Sequence, residues 1–345
     1  MFKVSRRNLI LSSGAAAAVF GIDKQVAWID SAYAQKAPEA AAGAAAAPPV
    51  GAGAAAFKPF AKFNVGKAKV TTIFDGLWEK PHDAGFIKNA SVEETKTALT
   101  AAKSTAPYVP VPFTVTVVNT GKNLVMFDAG GGGQATPANL GKTGLMTANM
   151  KAAGIDADKI DTILVTHFHP DHIFGLMAKD TNAPVFAKAK IVMPENEYKF
   201  WTDPALIDKL PEARKGLGRR IQAVFPAWKD KGYITLAAIG AEVLPGIRMV
   251  DTAGHTPGHV SYHVSSGKSQ LMVSSDASQI ALFLKNPAWH GAFDVDPVLA
   301  EKNRRALFDR VIAEKMVVTG YHWGMPGAGT IQKDGNGYAL VPVNV

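Results

Sequence analysis

Cysteine is absent from the 345 residues. No disulfide can brace this chain, no thiolate can act as a nucleophile, and no metal can be held by cysteine sulfur. Charged residues are also scarce, at 19% of the sequence. Lysine and arginine exceed aspartate and glutamate for a net charge of +8, yet they are scattered, with no basic stripe interleaved with aromatics. A nucleic-acid partner is therefore not expected. The densest basic group, Arg214, Lys215, Arg219 and Arg220, reads as the solvated face of a helix. Long apolar runs are missing too. The stretch over residues 9–22 falls short of the roughly 20 residues needed to cross a bilayer.

That short run reads as part of a leader. Ser5-Arg6-Arg7-Asn8-Leu9 resembles a twin-arginine export signal, and Ala32-Tyr33-Ala34 offers a small-x-small cleavage site. Residues 1–34 are thus expected to send the chain to the periplasm or outside the cell. No stable membrane insertion should remain after cleavage; an uncleaved N-terminal anchor is the alternative. A twin-arginine route carries folded proteins, so a metal could be loaded before export. Residues 35–56 are almost wholly Ala, Gly and Pro and read as a linker, since they carry no side chains that could build a core. The globular part then covers residues 57–345, ample for a large core.

Histidine, by contrast, is concentrated. Thr166-His167-Phe168-His169-Pro170-Asp171-His172 follows the apolar run Ile163-Leu164-Val165. A buried strand that ends in three imidazoles and a carboxylate is hard to explain by folding. Buried polar groups are costly unless paired, and a loop would ordinarily use Gly, Asn or Ser. Imidazole nitrogen and carboxylate oxygen are, however, the ligands that a borderline divalent metal such as zinc takes.

The run His-x-His-x-Asp-His after a strand resembles the signature of the metallo-β-lactamase superfamily, and three further elements follow in the matching order. Asp251-Thr252-Ala253-Gly254-His255-Thr256-Pro257-Gly258-His259 is similar to its Gly-His-Thr-x-Gly-His segment. Ser275-Asp276-Ala277 and Tyr321-His322-Trp323 each follow an apolar run, where the family places a bridging aspartate and a last histidine. The resemblance implies an α/β fold, a four-layer αβ/βα sandwich, with all four elements at one edge. It implies two divalent ions, zinc foremost: one held by His167, His169 and the segment's second histidine, His259, the other by Asp171, His172 and His322, with Asp276 between them. A hydroxide bridging the two ions would be the nucleophile. Asp171 and Asp276 are then the catalytic carboxylates, and Asp171 could orient the attacking hydroxide. Asp128 would support a ligating imidazole, or else cap backbone N–H groups in its loop. His255 is expected to brace its turn through hydrogen bonds and not to touch metal. The lack of cysteine argues against the β-lactamase subclasses whose second site uses it.

Within the superfamily, the methyl parathion hydrolases are the group most resembled. The likeness rests on Leu244-Pro245-Gly246-Ile247, on Pro326-Gly327-Ala328-Gly329 and on the ending from Gly335 to Asn344. It implies that Trp201 lines the substrate pocket; Phe168 and His290 join it as pocket candidates. Gln134-Ala135 and Lys215-Gly216-Leu217-Gly218 stand where that group has two further pocket aromatics. Aryl leaving groups bind by area and stacking, so two of three aromatic walls would be lost.

Composition and turn signals predict strands over residues 70–74, 113–119, 123–127, 162–165, 247–250, 261–264, 270–274, 316–318 and 338–341. Helices are expected around 140–153, 195–201, 212–228 and 298–313. The function implied is a metal-dependent hydrolase acting on a small ester, lactone or phosphotriester. A lactonase or a cysteine-free β-lactamase would use the same centre, with Tyr262 or Tyr321 as a proton donor. An iron-dependent redox member and a non-catalytic binding protein are the other readings. The substrate is a small molecule, and a homodimer is left open.

Overall fold

The computed structural model describes residues 57–104, 107–135 and 141–345. The expected export signal and linker, residues 1–34 and 35–56, lie outside the described residues.

Two mixed sheets face one another. The first contains β1 (Phe60–Val65), β2 (Ala68–Lys80), β3 (Val109–Asn119), β4 (Leu124–Phe127), β5 (Gly141–Thr143), β6 (Thr162–Leu164), β7 (Lys190–Pro194) and β8 (Ile234–Ala237). Its order is β1-β2-β3-β4-β6-β7-β8, with β5 paired to β2. The second contains β9 (Glu242–Leu244), β10 (Ile247–Asp251), β11 (Val260–Ser266), β12 (Ser269–Ser275), β13 (Val317–Gly320), β14 (Ala328–Asp334) and β15 (Gly337–Pro342), running from β15 to β9 in reverse chain order. The helices are α1 (Val92–Ala101), α2 (Met146–Ala152), α3 (Pro170–Ile173), α4 (Glu195–Thr202), α5 (Leu206–Lys209), α6 (Glu212–Asp230), α7 (Leu282–Lys285) and α8 (Pro297–Ala313).

Side chains on a strand alternate between its faces, and this alternation builds the layers. On β6, Leu164 points inward to Phe127, Tyr262 and Val273, while Ile163 belongs to the outer cluster with Ile221 and Phe225 of α6. On β7, Val192 lies inside and Ile191 and Met193 outside. On β12, Leu271 and Val273 face the first sheet, whereas Met272 meets Leu307, Phe308 and Val311 of α8. Strands buried on both faces therefore read as continuous apolar runs. The expected αβ/βα sandwich is the observed one.

Two sequence expectations shift. The region predicted as a helix from residue 140 starts instead as β5, because residues 141–143 pair with Gly76, Leu77 and Trp78 of β2. Gly144, at φ +82°, separates that strand from the shorter α2. The strand expected at 70–74 extends over thirteen residues, all but two of them buried. A bulge between Phe74 and Gly76 lets the buried Asp75 carboxylate accept from Gly131 N and Met146 N, each at 2.9 Å. This ties β2 to the glycine loop after β4.

Parallel pairing decides where the loops go. Strands β4, β6, β7 and β8 run parallel, as do β12 and β13. Antiparallel steps through β11 give β10 the same direction as β12. The segments that leave β4, β6, β10, β12 and β13 thus emerge at carboxyl ends, the edge where α/β sheets place their sites.

Candidate metal centre

These five segments carry Asp128, the histidine run, the 252–259 turn, Asp276 and His322. Seven of their side chains gather into two adjoining buried groups: His167, His169, His255 and Asp276, and Asp171, His172 and His322. Asp276 links them. Its Oδ2 lies 3.2 Å from His255 Nε2 and 3.1 Å from His322 Nε2, and its Oδ1 lies 3.4 Å from His172 Nε2. Asp171 Oδ2 faces His172 and His322 at 3.5 and 3.4 Å. His169 Nδ1 lies 3.0 Å from His167 Nε2 and 2.9 Å from His255 Nε2.

The outward nitrogens explain these orientations. His172 Nδ1–H donates to Asp128 Oδ2 at 2.8 Å, and His255 Nδ1–H to Asp294 Oδ1 at 2.9 Å. His322 Nδ1–H donates to Pro112 O at 2.8 Å, and His167 Nδ1–H to Thr166 Oγ1 at 3.0 Å. With those protons placed outward, the Nε2 lone pairs point at one another and at carboxylate oxygens. Buried His172 Nε2 and Asp276 Oδ1 have no hydrogen-bond partner. Converging acceptors without donors between them call for cations, and an all-nitrogen-and-oxygen donor set suits zinc or another first-row divalent ion. The residues present therefore fit two metal ions.

The charge states divide the cluster. Burial, then neighbouring imidazoles, holds His167 and His169 well below the ordinary histidine value, so they are neutral, as ligands must be. Against burial, Asp276, Asp171 and Asp128 raise His172 well above it, and Asp276 and Asp294 raise His255 to about 9; these are protons that a bound cation would displace. Burial would raise the Asp276 pKa, but His322 and His172 bring it well below the usual carboxylate range.

One sequence assignment is corrected here. His255, expected only to brace its turn, stands in the cluster, and His259, expected as the ligand, does not. Both His259 nitrogens are engaged by the protein: Nδ1 reaches Thr252 Oγ1 at 2.9 Å, and Nε2 accepts from Asp276 N–H at 3.2 Å. Burial and the nearby His255 push its pKa to about 3. His259 thus fixes the backbone that presents Asp276. Gly258 lets this turn sit against α4, since a Cβ there would lie 2.1 Å from Glu197 N.

Asp128 emerges as a hub. It adopts φ 60°, an uncommon conformation that aspartate tolerates better than most residues. Its carboxylate takes Thr166 N–H at 2.7 Å and Thr166 Oγ1–H at 2.8 Å besides the His172 imidazole. Both sequence readings of it, imidazole support and backbone capping, hold together.

Partners that the sequence reading missed come from distant segments. Glu197 accepts from Phe168 N, Trp201 Nε1, Thr256 Oγ1 and Gly258 N at 2.7–3.0 Å. It thereby joins the histidine run to the 252–259 turn. A glutamate on the apolar face of a helix, four residues before a tryptophan, was the available signal. Asp294, fully buried beside Arg304, gave none. Replacing Asp294 with asparagine is expected to weaken metal retention about 10- to 100-fold by releasing the His255 tautomer, measurable by chelator competition.

A cavity opens above the cluster, with the mix of apolar walls and a few convergent polar groups that small-molecule sites have. His169, Asp171, His255, Asp276 and His322 line it on one side; Trp78, Phe86, Val111, Phe113, Leu217, Ile280 and Phe293 supply apolar walls. The three pocket residues expected from sequence lie elsewhere. Trp201 is buried with its Nε1 on Glu197, Phe168 packs against Phe225, and His290 pairs with Glu301 at 3.3 Å. The aromatic walls are not lost but come from β2, β3 and loops. Tyr262 and Tyr321 donate to Val165 O and Asp171 O at 2.7 and 2.6 Å, which removes both as proton donors to a substrate in this arrangement.

Comparison with known proteins adds lineage to this geometry. The chain is 29% identical over 121 residues to the uncharacterized protein YobT of Bacillus subtilis (strain 168), covering 34% of this chain and 46% of that protein. It is 25% identical over 170 residues to an N-acyl homoserine lactonase of a Bacillus species, covering 49% and 58%. It thus spans about half the length of these curated relatives. Among solved structures, AidC, a dizinc quorum-quenching lactonase, superposes with a TM-score of 0.75 at 24% identity, covering 83% of this chain and 98% of that one. At that identity the likeness speaks for the fold. A family model, the metallo-beta-lactamase superfamily, matches residues 109–318, a span that holds β3 to β12, the first half of β13 and six of the seven clustered side chains. By that match, the chain belongs to the metallo-beta-lactamase superfamily.

Proposed function

We propose that this protein is a dinuclear metal-dependent hydrolase that opens lactones or cleaves small esters. The observation that carries the reading is the pair of ligand groups joined through Asp276 beneath an apolar cavity. His167, His169 and His255 would hold one ion and Asp171, His172 and His322 the other, with Asp276 shared. When bound, two such ions supply Lewis acidity and bring the pKa of water toward neutrality. No side-chain nucleophile is then required, consistent with a cavity lining that holds no serine or cysteine.

The chain's own residues do the remaining work. Asp171 turns Oδ2 toward His172 and His322, leaving Oδ1 to accept a proton from attacking water and return it to the leaving alkoxide. In a lactone that alkoxide stays tethered, so the same carboxyl remains within reach. Phe113, whose ring lies 5.4 Å from that of His322, and Phe293 hold the acyl part against the floor and limit competing water. The similarity to lactonases supports this substrate class.

Aryl phosphotriesters are the second reading. Four aromatic side chains line the cavity, Trp78, Phe86, Phe113 and Phe293, and the C-terminal likeness to methyl parathion hydrolases points the same way. Zinc as the resident metal and twin-arginine export to the periplasm belong to the same proposal.

The test is elemental analysis of protein purified without added metal, alongside turnover of an acyl homoserine lactone, an aryl ester, an aryl phosphotriester and a cephalosporin. About two zinc ions per chain, with lactone or ester turnover lost to chelator and restored by zinc, is the expected result. A single iron, or hydrolysis that survives metal removal, would overturn it.

A further inference from the structure

Helix α8 turns an arginine into the core. Arg304 shares a face with Ala300, Leu307, Phe308 and Val311 and is fully buried. A buried cation is costly unless it is paired, and arginine does not shed its charge. Three main-chain oxygens hold this guanidinium in place. Nε–H donates to Ala277 O at 2.7 Å, and Nη1–H donates to Pro287 O and Trp289 O at 2.6 and 3.1 Å. The guanidinium carbon lies 4.9 Å from the centre of the Phe283 ring. The remaining nitrogen, Nη2, makes no hydrogen bond and stands 3.5 Å from Asp294 Oδ2.

Asp294 meets this cation with one oxygen and serves the cluster with the other. Oδ1 accepts from His255 Nδ1–H at 2.9 Å and from Gln279 Nε2–H at 2.5 Å, while Oδ2 also takes Gly291 N–H at 3.3 Å. Lys88 Nζ donates to the Asp294 main-chain oxygen at 3.1 Å. His255 then sets Nε2 against Asp276. A carboxylate behind a metal-binding imidazole fixes its tautomer and orientation, which requires an anion that is held still. A guanidinium fork can grip three carbonyls and face a carboxylate at once; an ammonium is a single point charge. We infer that Arg304 is a positioning residue for the metal centre: it anchors the Asp294 carboxylate, so that His255 presents Nε2 to the ion it would share with His167 and His169. This inference rests on the metal-dependent reading above and concerns a side chain outside both ligand groups and the cavity lining.

The experiment measures zinc affinity by chelator competition, the visible spectrum of the cobalt-substituted protein and thermal melts. It compares the native chain with R304K, R304Q, D294N and D294N/R304Q. R304Q is expected to hold one of its zinc ions about tenfold or more less tightly, as loss of an outer-shell partner does, and R304K should lose less. Because the arginine acts through Asp294, adding R304Q to D294N should cost under about twofold more in zinc affinity. D294N, R304Q and the double variant should share one altered cobalt spectrum. The melting temperature lost in the double variant should be smaller than the sum of the two single losses, since each single change strands one member of a buried pair. Should R304Q not fold, the same cycle is read with R304K. Weakened zinc binding that follows this pattern supports the inference even where no ester or lactone is hydrolysed. Additive losses with a native cobalt spectrum, or zinc affinity equal in the native protein and R304Q, overturn it while leaving the two-metal centre intact. A native protein that takes up no zinc overturns the metal-dependent reading, and this inference with it.

Discussion

Asp276→Asn is expected to empty the centre and lower kcat/KM by at least about three orders of magnitude, more than loss of an outer-shell partner would cost. The reason is its position. Both groups of ligands reach it, through Oδ2 toward His255 and His322 and through Oδ1 toward His172. An amide offers one oxygen and a pair of N–H donors, so it can neither bridge two cations nor neutralise them. The fold should survive, because the backbone N–H that His259 holds is unchanged. Thermal melts separate the two effects. With zinc a thousandfold above its Kd, the native protein gains about 4 kcal/mol over its chelated form, and D276N should gain little. Undiminished metal content in D276N would remove Asp276 from the bridge.

The second large effect divides two histidines four residues apart. His255→Ala is expected to reduce bound metal from about two ions toward one and to abolish most turnover, since a three-protein-ligand site cannot spare an imidazole. His259→Ala should retain metal far better. Its cost falls on stability, about 1–3 kcal/mol for buried partners left unsatisfied, because Thr252 and the Asp276 N–H lose their acceptor or donor. Elemental analysis of the two purified variants decides the matter. Metal lost from H259A but kept in H255A would reinstate the assignment read from the sequence. The structure argues against that outcome because His259 already spends both ring nitrogens on the protein, while His255 turns Nε2 toward Asp276 and rests Nδ1 on Asp294.

Much of this site was legible beforehand for a simple reason. The run from His167 to His172 places several metal-binding side chains within six residues, directly after a strand whose apolar pattern is plain. Asp276 and His322 also follow apolar strands, so their edge of the sheet could be inferred. Local spacing carries that information. The choice between His255 and His259 is different in kind. Both follow the same strand and both are buried; Asp294, brought in from a loop 39 residues on, turns the Nε2 of one of them inward to the cluster. Pocket residues were hidden for the same reason. Trp201 has the composition of a pocket wall, but Glu197 four residues earlier draws its indole into the core.

From the amino-acid order alone came the chemistry and the layers. The absence of cysteine set the ligand types, period-two strands and period-3.6 helices set the sandwich, and the strand-then-histidine order set the active edge. These are short-range properties, readable within a turn or two of chain. Tertiary structure decided which nitrogen of each imidazole faces inward, which histidine of the 255–259 pair meets the cluster, which aromatics line the cavity, and that Arg214 is buried in the cavity wall instead of exposed to solvent. Each of those depends on contacts between segments tens to hundreds of residues apart, such as His322 on Pro112 across 210 positions. Such contacts exist only once the two sheets have closed on each other.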